Sequence, residues 1–95
     1  MKIADPYQKF RELLELNYQF PCTYIHKFIG RNSGIFRTSV QEFEQKFIGL
    51  KRTTERMSAS SAHVALTYDY LAGSANEIIE LTEETRKIND LIYIL

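Results

Sequence analysis

An α+β domain, built as one antiparallel four-stranded sheet with two helices on one face, is what this sequence predicts, and three observations predict it. Residues 22–29 (CTYIHKFI) and 63–71 (HVALTYDYL) are rich in β-branched and aromatic residues and alternate at period two. Between them Phe36, Val40, Phe43 and Phe47 recur at helical spacing, the stripe of a helix buried against a sheet. Further on, Ser74 and Glu77 form an S-x-x-E capping box ahead of a second apolar-striped helix, and the chain closes on a short apolar run.

The elements follow in order. Residues 5–17 read as an N-terminal amphipathic helix, with Asp5 as cap, Pro6 at the first helical position, and Tyr7, Phe10, Leu13, Leu14 and Asn17 at helical spacing. A helix this short needs a surface to lie on. Pro21 biases Phe20 toward extended backbone, and the core is expected to run over 20–95. Strand 22–29 is expected to place Cys22, Tyr24, His26 and Phe28 on one face and Thr23, Ile25, Lys27 and Ile29 on the other, with Gly30 closing it. The loop GRNSG leads to a helix over 35–48, capped by Asn32 or Ser33 and ended by Gly49. Residues 50–57 (LKRTTERM) are polar for a central strand and fit an edge. A loop at 58–62 precedes strand 63–71, the capped helix spans 74–86, and 88–95 is the last strand.

After the first helix the order is therefore strand, helix, strand, strand, helix, strand. Two right-handed crossovers put both helices on one side of the sheet. The economical arrangement is the ferredoxin-like split βαβ (βαββαβ), with strand order 4-1-3-2 and the polar second strand at the edge. One sheet face is then left without its own helices. Strict alternation sends Ile25, Ile29, Ile92 and Ile94 to that open face, an apolar patch that calls for a cover. Two covers are available: the N-terminal helix folded back through its Phe10 and Leu14 side, or a second copy packed as a homodimer.

Composition narrows the function. The chain has 95 residues, enough for a single domain with one core, and its 44% hydrophobic content argues against disorder. Twelve basic residues balance twelve acidic ones, which makes binding to nucleic acid by bulk charge an unfavoured reading. The balance is uneven along the chain: residues 27–56 hold seven basic and three acidic groups, and residues 69–90 hold two and six. Such polarity either marks ordinary solvated faces or steers a partner. One cysteine forms no internal disulfide, no signal-peptide run opens the sequence and no membrane-length apolar stretch occurs. A cytoplasmic location without membrane contact is the expectation.

No constellation of catalytic or metal-binding residues emerges. His26 and His63 have opposite parities on strands expected to be neighbours, so they do not share a metal, and His26 reads as a hydrogen-bonded core histidine. Cys22 shares a face with His26 but lies about 13 Å along the strand, too far for a nucleophile and its base. The loop at 30–34 lacks the lysine and order of a phosphate loop. It does open a helix next to Arg31 and Asn32, and with Lys51, Arg52 and Arg56 these form a candidate anion or polar rim. The glutamates of the last helix, among them Glu77, Glu80, Glu83 and Glu84, read as its solvated side.

The segment FRELLELNYQFP (10–21), followed by TYIHKFIG (23–30), resembles the YbeD-like family of small bacterial proteins of unknown function. Pro21, Lys27 and Gly30 match its proline, lysine and glycine around the first strand, and INDLIYIL (88–95) is similar to its short last strand. The resemblance implies the same ferredoxin-like fold, similar to regulatory amino-acid-binding domains, and no catalytic residues. The chain departs from the family pattern at 57–63, where MSASSAH lacks the usual proline and glycine.

The resulting expectation is a small regulatory or protein-binding module that is not an enzyme and uses no cofactor. A sensor of a small anion or amino acid is one alternative, and an RNA-associated protein using Lys51, Arg52 and Arg56 is another.

Overall fold

The computed structural model describes residues 5–95, and three helices and four strands are assigned among them. The elements are α1 (Gln8–Asn17), β1 (Cys22–Arg31), α2 (Gly34–Gln45), β2 (Leu50–Met57), β3 (His63–Ala72), α3 (Ala75–Thr85) and β4 (Leu91–Ile94). The strands form one sheet in the order β2-β3-β1-β4, every pairing antiparallel. This is the expected split βαβ arrangement, with β2 at the edge.

Local chemistry explains the boundaries. Ser33 caps α2, its hydroxyl accepting the Phe36 N–H at 3.1 Å. Ser74 caps α3 by accepting the Glu77 N–H, and the Glu77 carboxylate turns back onto the N–H of Gly73. α2 ends at Gln45, earlier than expected, and Gly49 stands directly before β2 with φ +85, where a side chain would be strained. α1 begins at Gln8. Asp5 accepts the Tyr7 N–H ahead of the helix and does not cap it.

Gly30 does not close β1, which runs on to Arg31 opposite His63. A Cβ at Gly30 would lie 2.0 Å from the Phe36 ring. The glycine is there to let that aromatic seat itself against the strand.

The core lies between the sheet and the helices. Phe28 stacks on Tyr68 with centroids 5.5 Å apart and meets Phe43 edge-on at 5.7 Å. Phe36, Val40, Val64, Leu66, Ile78 and Leu81 are buried around them. Ile88, expected to begin the last strand, is instead a buried core residue three positions before β4.

Two expectations are corrected. The N-terminal helix does not cover the open face. α1 packs beside α3 on the helical side, burying Leu14, half-burying Tyr7 and Phe10, and joining Arg11 Nε to Asn76 Oδ1 at 2.8 Å. Leu13 and Leu16 are exposed. The second correction concerns β4. Ile29 pairs with Tyr93, but Gly30 pairs with Leu91, so Ile92 is an extra, unpaired residue. This bulge inverts the expected alternation. Ile94, opposite Phe28, packs against the core, and Tyr93 takes the open side with Ile29.

Candidate interaction surface

Direct cross-strand partners share a face, so the registers define the open side row by row. Arg31 lies opposite His63. The next row crosses all four strands as Tyr93, Ile29, Ala65 and Arg56. Then come Lys27, Thr67 and Thr54, with the Leu95 N–H donating to the Lys27 carbonyl at 2.9 Å. Ile25, Asp69 and Lys51 follow, and Thr23 with Leu71 ends the series. Ile25 is 67% exposed, whereas its neighbour three residues on, Phe28, is fully buried. Leu71, Tyr93 and Leu95 are also well exposed, and Ile29 and Ala65 are half-buried. Of the four isoleucines expected on this face, the structure brings Ile25 and Ile29 together there. Ile92 is exposed at the bulge, and Ile94 is on the other side. Ile29, Ala65, Arg56, Met57, Ser58 and His63 line a shallow, mostly apolar depression.

The candidate rim divides in two. Arg52 is committed on the helical side: its guanidinium donates to Glu44 Oε2 and to Glu55 Oε1, and Glu44 also accepts the Tyr68 hydroxyl at 2.5 Å. Burial and the adjacent Glu44 carboxylate both push the Tyr68 phenol up, so it stays a donor. Asn32 is likewise committed, donating to the Ser61 carbonyl at 2.9 Å and accepting from Arg37 Nε at 3.0 Å. Ser33, at the start of α2, donates to Asp90 Oδ2 at 2.7 Å, which sets a carboxylate of the chain itself at that helix N-terminus. Arg31, Lys51 and Arg56 are exposed on the open face instead, with no ion pair among the described residues. Sequence reasoning treated these five residues as one rim. It placed Lys27 on the strand face of Ile25 and Ile29 without counting it in the surface, and it missed Tyr93 and Leu71 there, although the parity of strand three already placed Leu71.

His26 and His63 stand on opposite faces of the sheet, as their parities require. His26 is buried with its Nε2 2.9 Å from Thr85 Oγ1. The single hydroxyl hydrogen of Thr85 goes to the Leu81 carbonyl at 2.6 Å, so the hydroxyl accepts from His26 and the ring proton sits on Nε2. Burial pushes the His26 imidazole down to about 4, so it is neutral near pH 7. Its geometry is that of a strut between β1 and α3. Cys22 is half-buried and free. Among the described residues no group of three or more His, Cys, Asp or Glu side chains could hold a metal ion, and no helix is long and apolar enough to cross a membrane.

A family described as "Protein of unknown function (DUF493)" matches residues 15–95. The chain belongs to the DUF493 family. That assignment is consistent with the resemblance read from residues 10–30 and 88–95. No curated protein matches this DUF493 chain. Among solved structures it is similar to the ACT domain from the GTP pyrophosphokinase of Chlorobium tepidum, at TM-score 0.58 and 10% identity, covering 78% of this chain and 97% of that one. It is also similar to the solution structure of protein HP0495 from H. pylori, again at TM-score 0.58 and 10% identity, covering 99% of this chain and 98% of that one. At that identity the likeness shows a shared ACT/ferredoxin-like fold.

Proposed function

We propose that this DUF493 chain is a regulatory or protein-binding module without catalytic activity, and that its open sheet face is the contact surface. One observation carries the reading: Ile25, Ile29, Leu71 and Tyr93 share a sheet face that neither α1 nor any other described element covers. Apolar side chains grouped this way are characteristic of a surface that meets a partner. The ACT domain it resembles is itself one domain of a GTP pyrophosphokinase, which supports reading the fold as an accessory module. A cytoplasmic setting belongs to the same proposal.

The alternatives have less support. A small anion or amino acid at residues 30–34 would compete with partners already made, since Asn32 and Ser33 are engaged by Ser61, Arg37 and Asp90. RNA recognition by an open sheet rests on stacked aromatics. Among the described residues of this face Tyr93 and His63 are the two aromatic rings, and they stand on β4 and β3, separated by β1. A homodimer joined face to face would set Lys27, Lys51 and Arg56 against their own copies, so a different protein is the favoured partner.

The test is affinity capture from native lysate at low and high salt, with three full-length baits: wild type, Ile25→Asp on the open face and Glu83→Lys on the solvated side of α3. A protein retained by wild type and Glu83→Lys but lost from Ile25→Asp supports the reading. Equal capture by all three baits overturns it.

A further inference from the structure

Charge on the open face is not distributed as it is on the helical side. Arg11, Arg37, Lys46, Arg52 and Lys87 each have a carboxylate partner, and all belong to helices, to the turns after them or to the helical side of β2. Of the described cations without one, Lys27, Arg31, Lys51 and Arg56 share the open face, and only Lys9 and Arg86 lie elsewhere. Asp69 is the single carboxylate in the paired rows of that face, and it forms no ion pair. A chain of zero net charge therefore shows a basic sheet. Long basic side chains clustered on one surface without partners are arranged for something that arrives with the opposite sign.

The apolar groups say what else the arrival must carry. Ile29, Ala65 and Tyr93 form one row, with Ile25 four residues along β1, beyond Lys27, and Leu71 diagonal to it. Arg56 and Lys51 border this band from β2, opposite Ala65 and Asp69, about 13 Å apart along the sheet. The middle of a sheet face offers side chains and no free backbone groups, so whatever docks there must satisfy its own backbone. A helix does so and has the width of about two strand spacings. Carboxylates two helical turns apart, about 11 Å, reach both Arg56 and Lys51.

Resting on the reading of this face as a protein contact, we infer that its partner is an acidic amphipathic helix. The apolar stripe of that helix lies over Ile25, Ile29 and Ala65, with a side chain in the depression next to Arg56. Its carboxylates meet Arg56 and Lys51 on the β2 flank and, along β1, Lys27 between the two isoleucines and Arg31 beyond them.

The experiment is a titration of the 15N-labelled full chain followed by amide chemical shifts. The probes are a capped 14-residue helical peptide with leucines at helical spacing and glutamates elsewhere, the same peptide with glutamines, the same with lysines, and poly(U). The Glu peptide should shift Ile25, Lys27, Ile29 and Ala65 and leave Phe28 and Ile78 in place. The double variant Lys51→Glu/Arg56→Glu changes two exposed side chains, and unmoved core amides will verify its fold. It should weaken the Glu peptide by about tenfold. If the Gln peptide binds the same residues equally well and the double variant changes nothing, the acidic partner is overturned and the protein-contact reading stands. If no peptide moves the face, both fall. Saturation by poly(U) or preference for the Lys peptide also overturns the inference.

Discussion

The two sides of β1 are made from neighbouring residues and have opposite fates. Tyr24, His26 and Phe28 point toward α2 and α3, where Phe28 is clamped by Tyr68, Phe36 and Phe43 and His26 is tied to Thr85. Ile25, Lys27 and Ile29 point the other way, where among the described residues they have the side chains of adjacent strands as neighbours. One side holds the molecule together and the other is left to do something else. The difference teaches that a β-branched residue in a strong strand is no sign of burial: Ile25 is as apolar as Ile78, and only the placement of helices separates them.

The sharpest way to break this contrast is to truncate on each side of one strand. Phe28→Ala should destabilise the fold by about 3–5 kcal/mol, because it empties the centre of the aromatic cluster. Ile25→Ala should stay within about 0.5 kcal/mol. Urea unfolding of both variants checks the pair, and similar losses would erase the distinction between the faces.

Next in size is the acid response of the buried side. The folded His26 titrates at about 4, below its ordinary value near 6.5. Between those values the unfolded chain binds the proton and the folded chain does not. Stability is therefore fully present above pH 6.5 and lost as pH falls toward 4, by about 3 kcal/mol in all. His26→Leu should flatten that part of the pH–stability curve, while leaving the Thr85 hydroxyl without its donor. A smaller effect, about 1–3 kcal/mol, is expected for Gly30→Ala, which drives a methyl into the Phe36 ring. The smallest is Lys51→Glu, an exposed edge residue whose reversal should leave unfolding within about 0.5 kcal/mol.

Much of the fold was legible because its signals are local. The period-two runs at 22–29 and 63–71 need no tertiary knowledge, and β2 came out at its observed limits because polarity marks an edge strand. Ser74 announced its helix through the capping box. The misread parts depend on distant partners. Nothing in residues 88–95 reveals that one residue will be squeezed out of register at Ile92, and that one bulge carries Ile94 from the open face to the core. The stripe of α1 shows that the helix must lie on something but not on which side of the sheet. Arg52 and Asn32 adjoin Lys51 and Arg31 in sequence, yet alternation along β2 sets Arg52 opposite Tyr68 on the helical side, where Glu44 holds it, and Asn32 is held by Arg37 of α2 and by Ser61.

The central claim, that one sheet face is uncovered and the other packed, is tested most directly by a soluble gadolinium chelate and the relaxation of isoleucine methyls in the full chain. Ile35 and Ile48, both exposed, set the upper limit, and Ile78, Ile79 and Ile88 set the lower. The account predicts Ile25 relaxing with the exposed pair and Ile29 between the two groups. Protection of the Ile25 methyl at the level of Ile78 would contradict it.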